Sequence, residues 1–335
     1  MKRNKFGLIN VKILNSVLLR MPLRLNCLYI VILIIVLSTF KYTYVSGQSE
    51  EQSSMYMFNP LLFNPAYAGT RGTVSAVGIA RFQWVGIHGA PRSQFVSVHA
   101  PIAGQNLSWG AHLSNDQIGA RSRTSAFGDV AYSLRLNKKN DRISFGLSAG
   151  IDWQVYDFNR LVTNDPNDPV YNYYASKVRP NFGAGVYYYG DKHYFGVSIP
   201  RLLRNKLNDG VDIGEGLQRR HFYITGGYVF KLNSALMFKP NVLIKIAENS
   251  PTTIDINANF LILNTLWIGP MYRFHESIGL SAAINVKDFM MIGYAYDFQI
   301  NGLNGARINN AGTHEIMVTF DLKPKKKAFI SPRYF

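Results

Sequence analysis

Ser277–Ile300 reads SIGLSAAINVKDFMMIGYAYDFQI. In its first half Ile278, Leu280, Ala282, Ile284 and Val286 alternate with Ser277, Gly279, Ser281, Ala283, Asn285 and Lys287. After Asp288-Phe289 the pattern resumes, and Ile292, Tyr294, Tyr296, Phe298 and Ile300 stand opposite Met291, Gly293, Ala295, Asp297 and Gln299. A period of two belongs to a strand with two unlike faces. Two such runs of about ten residues, joined by a tight link, have the length of tilted membrane-crossing strands.

The same pattern recurs on both sides of this stretch. Between Thr252 and Ile262, Ile254, Ile256, Ala258, Phe260 and Ile262 alternate with Thr253, Asp255, Asn257, Asn259 and Leu261. In His314–Leu322, Ile316, Val318, Phe320 and Leu322 oppose Glu315, Met317, Thr319 and Asp321. Fourteen candidate strands follow from such readings: 73–84, 91–101, 106–114, 122–136, 142–155, 179–189, 193–200, 219–231, 235–246, 252–262, 266–275, 277–287, 290–300 and 313–322.

A soluble antiparallel sandwich also alternates, so two further features carry the distinction. The polar face is rich in Gly, Ser, Asn and Asp, as a barrel lumen would be. The connections also sort by length. Every second link is tight (103–105, 137–140, 190–192, 232–234, 263–265, 288–289), whereas 156–178, 201–218 and 301–312 are long. Short turns on one side and long loops on the other are the pattern of an outer-membrane barrel, as is an even strand number. Lipid forces closure, because an open sheet edge would leave unpaired backbone groups in hydrocarbon. The expectation is an all-β, transmembrane antiparallel barrel over 73–322, with both termini on the short-turn, periplasmic side and a tail over 323–335.

Residues 1–47 read as a signal peptide. Lys2, Arg3, Lys5, Lys12, Arg20 and Arg24 form a basic region, and Leu28–Leu37 is an unbroken apolar run. Val45-Ser46-Gly47 supplies small residues for cleavage before Gln48. Met21 offers an alternative start. An uncleaved anchor is the competing reading, although the apolar run is shorter than the roughly 18–20 residues a spanning helix needs. The sole cysteine, Cys27, precedes the apolar run and is misplaced for lipidation. Removing 47 residues from 335 leaves 288 with no cysteine, hence no disulfide framework, thiolate metal site or cysteine nucleophile. The mature part holds 29 basic and 20 acidic residues, a net charge of +9. Charged residues are 17% of the chain, below the ~25% usual for soluble domains.

Residues 48–72 form a separate N-terminal arm. Within it, Met55–Gly72 (MYMFNPLLFNPAYAGTRG) repeats Phe-Asn-Pro at Phe58-Asn59-Pro60 and Phe63-Asn64-Pro65. Each proline removes an amide donor and drives the preceding asparagine toward extended geometry, which excludes a long regular helix or a central strand. Yet the stretch is rich in Met, Phe, Leu and Tyr and needs cover. It either docks in or at the barrel mouth as a plug or packs as an apolar arm on the β core.

Few residues suggest catalysis. Gly146-Leu147-Ser148-Ala149-Gly150 fits the G-x-S-x-G pattern, but that nucleophile elbow needs a strand, a turn and a helix. Here it lies within one strand, with Gly146, Ser148 and Gly150 on one small face. His99, His112 and His275-Glu276 lack metal spacing. The Asn164–Pro169 cluster matches no EF-hand loop and reads as turn-forming Asx-Pro pairs. No phosphate loop or nucleic-acid motif is found. The reading is a non-enzyme with no cofactor and no metal.

The opening YMFNP…NPAYAG segment and the closing Ser331-Pro332-Arg333-Tyr334-Phe335 resemble the two ends of the mature chain in the PorP/SprF family of Bacteroidetes type IX secretion and gliding proteins. The strand-rich interval between them fits as well. The resemblance implies an outer-membrane component that recognises or anchors secreted cargo through a C-terminal sorting domain. It would work beside the translocon and connect to periplasmic secretion components. Carried onto this chain, a partner-docking role falls on Asn59, Pro60, Asn64, Pro65, Tyr67 and Gly69, and on Pro332, Arg333 and Phe335. Outer-membrane lipid is the other expected contact and nucleic acid is not. The barrel pattern by itself also allows a passive outer-membrane pore or small-solute channel.

Overall fold

A computed structural model describes residues 51–137, 140–160, 174–205, 219–248, 250–300 and 311–322. The strands are β1 (Ser75–Phe82), β2 (Arg92–Pro101), β3 (Leu107–Ile118), β4 (Arg121–Arg135), β5 (Arg142–Asp157), β6 (Tyr174–Tyr189) and β7 (His193–Ile199). They continue as β8 (His221–Tyr228), β9 (Phe230–Lys231), β10 (Leu236–Ala247), β11 (Thr253–Ile262), β12 (Leu266–Arg273), β13 (Ser277–Lys287), β14 (Met290–Gln299) and β15 (Thr313–Asp321). Apart from β8 and β9, which both pair with β10, strands that follow one another in the chain are antiparallel neighbours, and β1 pairs β15 from Ser75↔Asp321 to Phe82↔His314. The sheet is therefore a closed barrel without an edge.

The two-residue β9 is the end of β8. Both ladders to β10 share one register, with Gly227 opposite Asn241 and Phe230 opposite Phe238. The gap falls opposite Pro240, which has no N–H to give. Val229 donates its N–H to the Lys192 carbonyl instead. Counted this way the barrel has fourteen staves.

The wall is inverted relative to a soluble protein. Leu147, Val178, Leu280, Phe298 and Ile316 are exposed on the outside, Leu147 at 68%. Arg81, Asn181, Asn257, Ser281 and Glu315 are buried inside. The only solvent in which this arrangement is stable is a bilayer, where apolar side chains face acyl chains and every backbone group pairs within the wall.

The strand limits agree with the alternation except at two places. β3 runs on to Ile118 and β6 starts at Tyr174. Both extensions lie at the long-loop end and pair fully with β4 and β5, from Ile118↔Arg121 and Asp157↔Tyr174. Their Asn, Asp, Gln, Ser and Lys residues look like loop because they rise beyond the apolar band. The long-loop end is not uniformly long: β3 and β4 are separated by only Gly119-Ala120, and β12 and β13 by Phe274-His275-Glu276. At the other end Leu263 and Asn264 both take positive φ (51° and 55°), the tight hairpin geometry whose twist suits two paired strands. Among the described residues no helix is long and apolar enough to cross a membrane.

Candidate interaction site: the occupied lumen

Residues 51–72 run through the interior of the barrel. Three single turns of 3-10 helix carry them: Tyr56–Phe58, Pro60–Leu62 and Pro65–Tyr67. Prolines open the second and third turns, where the missing N–H is harmless. Asn64 caps the third by accepting from the Ala66 N–H at 3.0 Å. The repeated Asn-Pro pairs thus break the segment into short turns, compact enough to fit a lumen and free of any ladder.

The segment begins at the long-loop mouth. Glu51 pairs with Arg123 at 2.9 Å and accepts from Ser114, while Gln52 reaches Glu276 in the β12–β13 link. Just inside lies a charged seat. Glu315 Oε1 accepts from Ser53 Oγ (2.7 Å) and the Met55 N–H (2.8 Å); Oε2 accepts from the Ser54 N–H (2.9 Å) and Arg81 Nη1 (2.9 Å). A carboxylate offers about four lone-pair sites, so this one is saturated, three of them by the N-terminal segment. Arg81 also donates to Asp297 at 2.8 Å and to Ser54 Oγ at 2.7 Å, and Ser54 Oγ donates to Asp297 at 2.5 Å. Beside them Asp255 is shared by Arg273 and Lys245, each at 2.9 Å. Asn257 donates to the Ser54 carbonyl. Arg81 and Glu315 are 1% and 0% exposed, so these charges are stable only because each is paired.

Midway, Phe58 meets Trp267 edge to face (5.9 Å) and Phe63 packs on Tyr223 (5.2 Å). Ser97 Oγ donates to Asn59 Oδ1 at 2.7 Å, and Ser198 Oγ donates to the Phe63 carbonyl at 2.7 Å.

Toward the short-turn mouth the wall is made of small residues. A Cβ on Gly146 would strike the backbone of Ala66, and one on Gly185 would strike the Asn64 amide. Asn64 Nδ2 donates to the Val186 carbonyl at 3.1 Å. Tyr67 stacks edge to face on Tyr187 (5.4 Å) and on the His99 ring (5.2 Å). Gly69 adopts φ 74° against Ser108 and donates its N–H to His99 Nδ1 at 3.1 Å. Arg71 then pairs with Asp321 at 2.5 Å and Thr73 donates to the Leu322 carbonyl, where the segment passes into β1. The segment therefore spans the lumen from the long-loop mouth to the short-turn mouth. Placing both ends of the mature chain on the short-turn side holds for β1 and β15 but not for Glu51, because the charges that receive Ser53–Met55 sit at the far ends of their strands.

Of the residues singled out in the sequence, Asn59, Pro60, Asn64, Pro65 and Tyr67 are buried against the lumen wall and Gly69 is half-buried. Pro332, Arg333 and Phe335 lie outside the described residues, as does the Asn164–Pro169 cluster. Gly146 and Ser148 are lumen-facing wall residues, and the glycine is the seat for Ala66 rather than part of a nucleophile elbow. His112 pairs with Asp129 at 2.9 Å inside the lumen. Among the described residues no group of His, Cys, Asp and Glu could hold a metal ion. The sequence reading overlooked Glu315, Arg81 and Asp297. The available signal was a charge on the inward face of each of three neighbouring strands, close to the same end.

Fold and lumen together define an outer-membrane β-barrel filled by its own N-terminal segment. A family model described as type IX secretion system membrane protein PorP/SprF matches residues 45–320. The chain belongs to this PorP/SprF family and is an outer-membrane component of the secretion machinery, which implies contact with other components of that system. No curated protein matches the chain. Among solved structures it is similar to the KdgM porin (6% identity, TM-score 0.38, covering 74% of this chain and 99% of that one). It is also similar to the Ralstonia pickettii toluene transporter TbuX (10%, 0.43, 82% and 93%). A third similar structure is the Acinetobacter baumannii outer membrane protein Omp33 (7%, 0.38, 76% and 100%).

Proposed function

We propose that this barrel is a non-enzymatic receptor or anchor in type IX secretion. It holds secreted cargo through the cargo's C-terminal sorting domain and links it to the translocon and to periplasmic components. The observation that carries this reading is the occupied lumen. A solute channel needs a continuous aqueous path, whereas here wall and segment interlock by hydrogen bonds, three of which join with Arg81 to fill the acceptor sites of Glu315, and by glycine seats made to the segment's shape. The docking role of Asn59, Pro60, Asn64, Pro65, Tyr67 and Gly69 is then exercised toward the barrel itself, which leaves the loops, the mouths and the Pro332–Phe335 end for partners. The leader ends near Gly47.

The test is affinity isolation of the tagged barrel from native outer membrane in mild detergent, with mass spectrometry of what accompanies it. Co-isolation of a large secreted protein bearing a C-terminal sorting domain supports the reading. A barrel that isolates alone and conducts ions in a planar bilayer refutes it and supports a passive pore.

A further inference from the structure

A cavity of about 480 Å³ lies at the long-loop end beneath the β1–β2 link, within the size range of small-molecule sites. Its lining includes Phe82, Trp84, Val85, His88, Arg92 and Gln117. The strand register settles which side of the wall it occupies. Phe82 pairs with Arg92 and Arg92 with Gln117, so the three form one row across β1, β2 and β3. Their chain neighbours Arg81, Ser93 and Asp116 are all buried in the lumen. By alternation the row points outward, on the same face as Val96 and Leu113, which lie in the exposed apolar band. Arg92 precedes Val96 by four residues in β2, about 13 Å along the strand toward the long-loop end. The row between them on the same outward face is already polar, Gln94 opposite Asn115, so Arg92 stands on the headgroup side of the apolar band.

A guanidinium on the lipid side of the wall needs a counter-charge, and among the described residues Arg92 and His88 have no ion-pair or hydrogen-bond partner. The loop above them is clamped. Val85 donates to the Gly312 carbonyl at 2.9 Å and accepts from the Ala311 N–H at 2.8 Å, and Gly119 donates to the Gly89 carbonyl at 2.9 Å. Trp84 is held at φ 48°, a left-handed conformation costly for a bulky residue, and its buried indole N–H has no acceptor. A loop fixed at such cost roofs the cavity instead of collapsing into it.

Resting on the outer-membrane placement of the barrel, we propose that this cavity binds the phosphate-bearing headgroup of an anionic glycolipid of the outer leaflet. The phosphate meets the Arg92 guanidinium, whose flat fork matches it in a bidentate pair. His88 and Gln117 serve as further hydrogen-bonding groups, Phe82 marks the edge of the hydrocarbon, and an acyl chain descends over Val96 and Leu113.

The test uses the full mature barrel in phosphatidylcholine nanodiscs supplied with diphosphorylated lipid A, with retained lipid counted by native mass spectrometry. Arg92→Gln lowers retention about tenfold, the size of one charge-assisted pair. Arg92→Lys, which keeps the charge but not the fork, retains an intermediate amount. Lys231→Gln, at the opposite end of the barrel, retains as much as the parent. Each variant is first shown to be folded by its heat-modifiable migration. Dephosphorylated lipid A fails to bind and inorganic phosphate fails to displace the lipid. Equal retention by Arg92→Gln, binding of the dephosphorylated lipid or displacement by inorganic phosphate overturns the proposal. Fractionation of the native chain with the inner membrane would instead overturn the outer-membrane placement, independently of any lipid count.

Discussion

The two ends of the lumen hold the same segment by opposite means. At the long-loop end, buried charges grip Ser53–Met55: Glu315, Asp297 and Arg81 form a network completed by the segment's own N–H and O–H groups. At the short-turn end, absence of side chains does the holding, since Gly146 and Gly185 leave hollows that Ala66 and Asn64 fill. The charged seat is strong but needs only a few donors. The glycine seat is made of shape and tolerates almost no addition. The first end resembles a clasp and the second a mould, and they should fail differently.

The most extensive structural change is expected at the mould. Gly146→Leu puts a side chain into the backbone of Pro65 and Ala66, so relief requires the backbone itself to shift. The short-turn half of the segment should leave the lumen, exposing Asn64–Gly69 to protease added to the purified barrel. Overpacking alone costs about 1–3 kcal/mol, and loss of the seat adds to it. At the clasp, Glu315→Ala removes the acceptor of three segment donors and one partner of Arg81, a change of about 3–5 kcal/mol for a broken buried ion pair. Here the segment should loosen only from its long-loop end, read as faster amide exchange at Ser53–Met55 with Ala66–Ala68 still protected. Asn64→Ala loses the cap on Ala66 and the bond to the Val186 carbonyl, about 1 kcal/mol for each. Combined with Glu315→Ala it sharpens the comparison. If the seats are independent, the two losses add to within about 0.5 kcal/mol in denaturant unfolding. A shortfall larger than that means the segment moves as one body.

The wall was legible in the sequence because lipid imposes a strict rule on it. Outward residues must be apolar and inward ones need not be, so stretches such as Ser277–Lys287 announce their limits to the residue. The rule lapses above the bilayer, which is why the polar ends of β3 and β6 looked like loop. The N-terminal segment was legible only as apolar chain in need of cover, with prolines that forbid a regular element. Its direction was not. Glu315 and Asp297 look like ordinary lumen positions until the barrel closes and brings β1, β14 and β15 side by side. The same holds for Gly146: its small inward face could be read, but not what fills the hollow, because Ala66 is eighty residues away in the chain.

Residues 51–72 cross the lumen from the outer mouth, and cysteine labelling tests this crossing most directly. Residues 28–335 hold no cysteine, so single substitutions there report cleanly. Gln52→Cys and Asn264→Cys would be treated with a membrane-impermeant maleimide on intact cells producing the barrel. Gln52→Cys should be labelled from outside, and Asn264→Cys only after the outer membrane is opened. Labelling of Asn264→Cys but not Gln52→Cys in intact cells would mean that the barrel is inverted. Protection of both until the membrane is opened would mean that the segment does not reach the outer mouth.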